Sequence, residues 1–277
     1  SFLEARSRGG VWLVRIEDLD PPRERPGAAD EILATLDRFQ LHWNGPVLRQ
    51  STRTVAYEAA LEQLAASGSL RTCLCSRAQL SALAENQRRP AGEELFHPPE
   101  CIAPAPGPAD VPAWRLRAPD KDIDFMDRVQ GQQRSNVART VGDFVLKRRD
   151  GLFAYQLAVV VDDGFQGITD VVRGADLLSS TARQVVLQQA LRLPPVTYMH
   201  LPIAVGNTGI KLSKSEDAPA LSRSSPAAQV VAALEFLRQA PPADLARASL
   251  AEVWQWAIAH WQPRRFTGVR TGTVTFA

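Results

Sequence analysis

Seven of the 20 prolines, at 98, 99, 104, 106, 108, 112 and 119, crowd one stretch of this chain. Proline fixes φ and has no amide hydrogen to give, so the stretch reads as an inserted, loop-rich region. It therefore separates two halves of different texture. Before it, residues 11–16 (VWLVRI) read as a buried strand that ends in Glu17, Asp18 and Asp20 and the turn Pro21-Pro22. Helical spacing of Ile32, Leu33, Leu36 and Phe39 predicts a helix over 28–39, and a second is predicted over 55–64 with Ser51-Thr52 as its cap. After it, the apolar segment 153–161 opens a second strand–helix unit that passes through 170–173 and ends in a helix over 182–191. Short strand-like pieces at 114–117 and 144–147 lie between, and helices are predicted over 227–237 and 250–258. The expectation is an α/β core split by a loop-rich insertion and closed by a helical tail.

Composition supports a globular fold and removes several functions. With 45% apolar residues and a net charge of +2, the 277-residue chain buries a core and carries no overall field for nucleic acid, so polyanion contacts must come from local patches. Arg23, Arg25, Lys147, Arg148 and Arg149 are candidates, although solvated charges explain them equally well. No apolar run approaches the roughly 20 residues of a membrane helix. Acidic residues at 4, 17, 18 and 20 do not suit a secretory signal, and three cysteines confined to 73–101 argue against paired disulfides, so a cytoplasmic protein is expected. The glycine fingerprints of dinucleotide folds and P-loops are absent, as is the serine elbow of hydrolases.

Four groups can carry chemistry. Glu17, Asp18 and Asp20 follow a strand, where parallel sheets place ligands; such carboxylates hold an ammonium group or magnesium, or simply form a solvated turn. Lys211-Leu212-Ser213-Lys214-Ser215 after Gly206-Asn207-Thr208-Gly209 suits a loop that closes on a triphosphate, and equally a solvated surface loop. Cys73, Cys75, His97 and Cys101 give C-x-C and H-x3-C, two ligand pairs that suit tetrahedral zinc or are inert thiols beside a histidine. Tyr155 and Arg173 can clamp a carboxylate, while Asp162-Asp163 before Gly164 reads as a turn. His42, His200 and His260 have no ligand-like neighbours in sequence, and Trp254, Trp256 and Trp261 read as core or docking residues of the tail.

The strings VRIEDLDPPRERPGAADEI at 14–32, GLFAYQLAVVVDDGFQGITDVVRGADLL at 151–178, HLPIA at 200–204 and KLSKS at 211–215 resemble the class I glutamyl-tRNA synthetases, above all their short bacterial paralogues that act on the queuosine of tRNA(Asp). The likeness implies a Rossmann-type parallel sheet with a zinc-bearing insertion and a C-terminal helical region. It divides the chain into a first half of the core at 1–70, the insertion at 71–140, a second half at 141–205 and the basic loop with its tail at 206–277. It also implies that Lys211, Leu212, Ser213, Lys214 and Ser215 bind ATP with Mg2+, Lys211 and Lys214 acting in catalysis. Glu17, Tyr155 and Arg173 would hold L-glutamate, the carboxylate taking its amino group and the arginine a carboxylate. Cys73, Cys75, His97 and Cys101 would hold structural Zn2+, with His97 where a tyrosine is expected.

The family's HIGH-type motif is not found, and the segment before Ser1 is expected to hold it, with a further glutamate-binding arginine. Positions 216–277 are expected to be too few for the anticodon-binding domains of a complete synthetase. The resemblance thus implies a monomeric ligase that activates glutamate without tRNA and transfers it to queuosine in the anticodon loop of tRNA(Asp), a base exposed without opening a duplex. The alternatives are a catalytic fragment of a glutamyl-tRNA synthetase and a catalytically silent RNA-binding paralogue.

Overall fold

A computed structural model describes residues 1–87, 95–207, 209–212, 221 and 225–274. The first half begins with α1 (Phe2–Ser7), β1 (Arg15–Ile16), α2 (Ala28–Arg38), β2 (Leu48–Arg49) and α3 (Thr54–Ala66). Only two residues of the 11–16 run form a strand, paired in parallel with β2; Val14 before it is buried, while Val11 stands open to solvent. Ser51 and Thr52 do not cap α3. They form a 3-10 turn before it, and Ser51 bonds Asp18 instead.

The middle contains β3 (Leu70–Cys73), α4 (Arg77–Asn86), β4 (Ala113–Leu116), β5 (Asp122–Asp127), β6 (Gly131–Asn136), α5 (Val137–Thr140) and β7 (Phe144–Lys147). Strands β3, β4 and β7 make an antiparallel sheet in which Cys73 pairs with Ala113. β5 instead joins the sheet of the second half, so the middle segment contributes to both layers.

The second half is α6 (Tyr155–Gln166), β8 (Asp170–Gly174), α7 (Thr181–Ala190), β9 (Thr197–Leu201) and β10 (Ile203–Val205). Segment 153–161 is thus the start of a helix and not a strand. Its β-branched run Val159-Val160-Val161 favours a strand locally, but Leu157 to Val160 are all buried between α3 and α7, and a helix buried all round has the same unbroken apolar run as a central strand. Gly167 at φ 64° ends this helix in the left-handed conformation that glycine adopts without strain. β8, α7 and β9 form a strand–helix–strand unit with parallel strands. β9 lies between β8 and β5 in a four-stranded sheet, and β6 pairs antiparallel with β5 at its edge.

The tail holds α8 (Pro226–Phe236), α9 (Leu250–Ala259) and β11 (Thr271–Thr273), the last parallel to β10. Leu234, Val253 and Ala257 pack on Leu3 and Phe39 of the opening segment. Among the described residues no helix is long and apolar enough to cross a membrane.

Candidate active site and metal centre

Arg15 is the residue about which the first site is assembled. Leaving β1, its guanidinium donates to Asp163 Oδ1 at 2.9 Å and Gln166 Oε1 at 2.8 Å on α6, and its Nε stands 3.5 Å from Glu17 Oε1. Asp162 and Asp163 are therefore not a surface turn; both are buried in α6. Asp162 accepts from Gln50 at 2.9 Å, Arg53 at 3.0 Å and the Tyr57 hydroxyl at 2.7 Å, which fastens α6 to α3. Desolvation raises the pKa of Glu17 above the ordinary carboxylate value even though Arg15 opposes it, and does the same to Asp163. The next two acids face elsewhere. Asp18 accepts from the amide and hydroxyl of Ser51, and Asp20 pairs with Arg23 and Arg148.

Tyr155, first residue of α6, and Arg173, near the end of β8, come together: the guanidinium Nη1 lies 3.5 Å from the phenol oxygen. Burial raises the Tyr155 pKa, so the phenol stays protonated. The other donors of Arg173 are committed to His200 Nε2 at 3.0 Å, Thr181 Oγ1 at 2.9 Å and Leu177 O at 3.4 Å, while Nη1, which has two hydrogens, makes among the described residues one long bond, to Tyr155.

Just beyond β8, Asp176 accepts from Lys211 Nζ at 2.5 Å, and Lys211 also bridges to Val205. Gly174 permits this approach, since a Cβ there would lie 2.4 Å from Asp176 Oδ1. One short segment, 173–176, thus carries both the Arg173 fork and the partner of the first basic-loop residue. Leu212 is half-buried; Ser213, Lys214 and Ser215 lie outside the described residues.

Cys73, Cys75, His97 and Cys101 converge, with their ligand atoms all within 4.8 Å of one another. Cys73 Sγ stands 3.1 Å from His97 Nε2 and 3.4 Å from Cys101 Sγ, and Cys75 Sγ is 3.3 Å from Cys101 Sγ. Sulfurs that share a tetrahedral zinc at about 2.3 Å stand roughly 3.8 Å apart, so this donor set closes on one ion with small adjustments. Burial holds the His97 pKa down to about 4, so its ring is neutral at pH 7 and has one nitrogen lone pair to give a metal. Burial and the bonds with Cys101 and Cys73 push the Cys75 thiol up to about 12, the state that a bound cation reverses by deprotonating it. His97 is set in place by a backbone bridge to Gly142.

Three partners were not legible. His200 and Asp127, both fully inaccessible, bond at 2.6 Å, and Thr181 joins them beside Arg173. They stand far apart in sequence and carry no spacing signal; only the strand pairing Arg173↔His200 brings the histidine to the site. His42 and His260 are exposed.

The family described as tRNA synthetases class I (E and Q), catalytic domain, matches residues 1–240. The chain belongs to this family. Among its members, a protein of Dechloromonas aromatica named glutamyl-Q tRNA(Asp) synthetase is 51% identical over 94% of this chain and 86% of its own length. One of the same name from Pseudomonas aeruginosa is 50% identical over 96% of this chain and 87% of its own. Among solved structures, a glutamate-tRNA synthetase from Elizabethkingia anophelis matches with a TM-score of 0.77 at 21% identity, covering 99% of this chain. A glutamate tRNA ligase from Elizabethkingia meningosepticum in complex with its amino acid gives 0.73 at 23% identity over 98%. At these identities the likeness is one of fold, and this class I synthetase chain spans 63% and 62% of the lengths of those two.

Proposed function

We propose that the protein is a ligase that activates L-glutamate with ATP in the absence of tRNA and transfers it to the queuosine base of tRNA(Asp). The acceptor assignment rests on relatives that are half identical over more than four-fifths of their own length and carry the name glutamyl-Q tRNA(Asp) synthetase. The amino-acid assignment rests on one observation, the Nη1 end of Arg173, which makes one long bond to the Tyr155 hydroxyl and has a second hydrogen to give.

In this reading a glutamate carboxylate takes that edge, with Tyr155 as a second donor, and Glu17 takes the ammonium group. The substrate's α-carboxylate then attacks the α-phosphorus of ATP, pyrophosphate leaves, and a glutamyl adenylate forms. Lys211 and Lys214 offset the charge that develops on the phosphates, and Mg2+ bound with ATP supplies further neutralisation. Holding the reactants in line is most of the catalysis, because no side-chain nucleophile is required. A hydroxyl of the queuosine cyclopentenediol next attacks the adenylate carbonyl, AMP leaves, and an ester remains. Cys73, Cys75, His97 and Cys101 hold zinc in a structural role, since four protein ligands leave no open position for a reacting water.

The test is glutamate-dependent exchange of pyrophosphate into ATP without tRNA, followed by charging of tRNA(Asp) with and without queuosine, and of tRNA(Glu). Exchange and charging of the modified tRNA(Asp) alone are expected. Equal charging of the two tRNA(Asp) forms, or charging of tRNA(Glu), overturns the acceptor assignment; no exchange overturns the activation step.

A further inference from the structure

The strand pair β8–β9 places His200 directly across from Arg173, and the chemistry of the two side chains fixes which atoms carry protons. Asp127 Oδ2 lies 2.6 Å from His200 Nδ1, and a carboxylate only accepts, so Nδ1 carries the hydrogen. That carboxylate is an anion held by several donors. Desolvation works against its charge, but the bonds from His200 and from the Gln130 and Val129 amides, at 2.8 and 3.1 Å, keep its pKa below the ordinary value. With Nδ1 protonated, the neutral ring presents a lone pair at Nε2. Arginine only donates, and the Arg173 Nε hydrogen meets that lone pair at 3.0 Å. The imidazole therefore works as an acceptor turned the right way by a carboxylate behind it. The side chains of His200 and Asp127 are both wholly inaccessible, and among the described residues Arg173 is the only charged group that Nε2 meets.

We propose that His200, oriented by Asp127, is a positioning residue that fixes the rotation of the Arg173 fork and so leaves the Nη1 edge turned to the substrate. The inference rests on the assignment of Arg173 to glutamate given above. Without the Nε bond, the guanidinium is held through Thr181 and Leu177 at Nη2 and by the long 3.5 Å bond from Nη1 to Tyr155, and can turn about the Nη2 corner. With Nε tied as well, two donors on one side are held and the plane is set. Asp127 exerts its effect through the tautomer of His200 and touches no substrate.

The purely structural alternative is that Asp127 and His200 serve as a tether between β5 and β9, and two substitutions separate it from positioning. His200→Asn keeps a donor for Asp127 but has no acceptor at the Nε2 position. His200→Gln reaches that position with its amide oxygen and loses the donor to Asp127. In full-length protein, pyrophosphate exchange with His200→Asn is expected to show a KM for glutamate raised roughly ten- to hundredfold, with the KM for ATP within about twofold of wild type. His200→Gln is expected to recover most of that loss. A tether predicts the reverse order. A His200→Asn variant with unchanged KM for glutamate, or a glutamine variant no better than the asparagine one, overturns the inference.

Asp127→Asn provides a second route should either variant fail to fold. Its oxygen keeps the backbone bonds, while its amide forces Nδ1 to accept and moves the proton to Nε2, opposite the Arg173 hydrogen. The KM for glutamate is expected to rise although residue 127 lies behind the histidine, and an unchanged value counts against the proposal. Arg173→Gln tests the underlying reading alone: if it leaves the KM for glutamate unchanged, Arg173 is not the carboxylate ligand and the functional assignment fails first.

Discussion

Glu17 has to be ionised to hold an ammonium group, and its surroundings resist that ionisation. Desolvation raises its pKa, Arg15 at 3.5 Å lowers it, and the neighbouring Asp163 and Asp162 add to the rise. A raised carboxylate pKa means that the competent, charged form is present above that value and lost as pH falls through it. The acid limb of kcat/KM for glutamate is therefore expected above the ordinary glutamate value of 4.5. Glu17→Gln should remove that limb while raising the KM for glutamate, and a pH profile of exchange measures both. Asp162 makes a different demand. Wholly buried, it satisfies Gln50, Arg53 and Tyr57 at once, so Asp162→Ala leaves two buried donors and the partly buried Arg53 guanidinium without that partner. Loss of about 3–5 kcal/mol of stability is expected in a denaturant titration.

At the scale of elements, the candidate metal centre depends on a glycine outside it. Gly142 sits at φ +73°, and a Cβ there would lie 1.7 Å from the His97 carbonyl oxygen, inside the bridge that holds the histidine. Gly142→Ala must displace His97, so metal content after purification without chelator is expected to fall well below one ion per chain. Wild-type protein should bind close to one, and chelation should lower its melting temperature. The cysteine and histidine pairs were legible because ligand spacing is local chemistry. Other features were legible only in part. The run at 153–161 showed that something apolar and buried lay there, but composition does not separate a strand from a helix enclosed on all sides; its neighbours α3 and α7 decide the matter. For the same reason Asp162-Asp163 read as a turn, since the arginines that justify their burial come from residues 15 and 53. Tyr155 and Arg173, read from the sequence as a pair able to clamp a carboxylate, stand 3.5 Å apart, whereas His200 needed the strand register.

The whole molecule is closed by its tail, which returns to the opening segment by several routes. Trp254 Nε1 donates to Phe39 O at 2.7 Å, and Trp261 Nε1 donates to Glu4 Oε2 at 2.7 Å. Glu4 also receives Arg128 at 2.5 Å from the connection between β5 and β6, which links the tail cluster to the sheet that bears His200. β11 extends β10, and the Gly268 amide bonds Val129 O beside Asp127. Connections of this number and burial make the tail and the catalytic half one cooperative unit. Leu234, 2% exposed and packed with Leu3 and Phe39, tests this. Leu234→Ala leaves a cavity and is expected to cost about 2–5 kcal/mol. If the molecule unfolds as one body, tryptophan fluorescence, with Trp254, Trp256 and Trp261 in the tail and Trp12, Trp43 and Trp114 before it, and far-ultraviolet circular dichroism, which reports on all helices and strands, shift to the same lower denaturant midpoint. An independent tail splits the fluorescence curve in two, with the tail tryptophans changing first and the core midpoint unmoved. Coincident curves in both wild type and variant are the expected result.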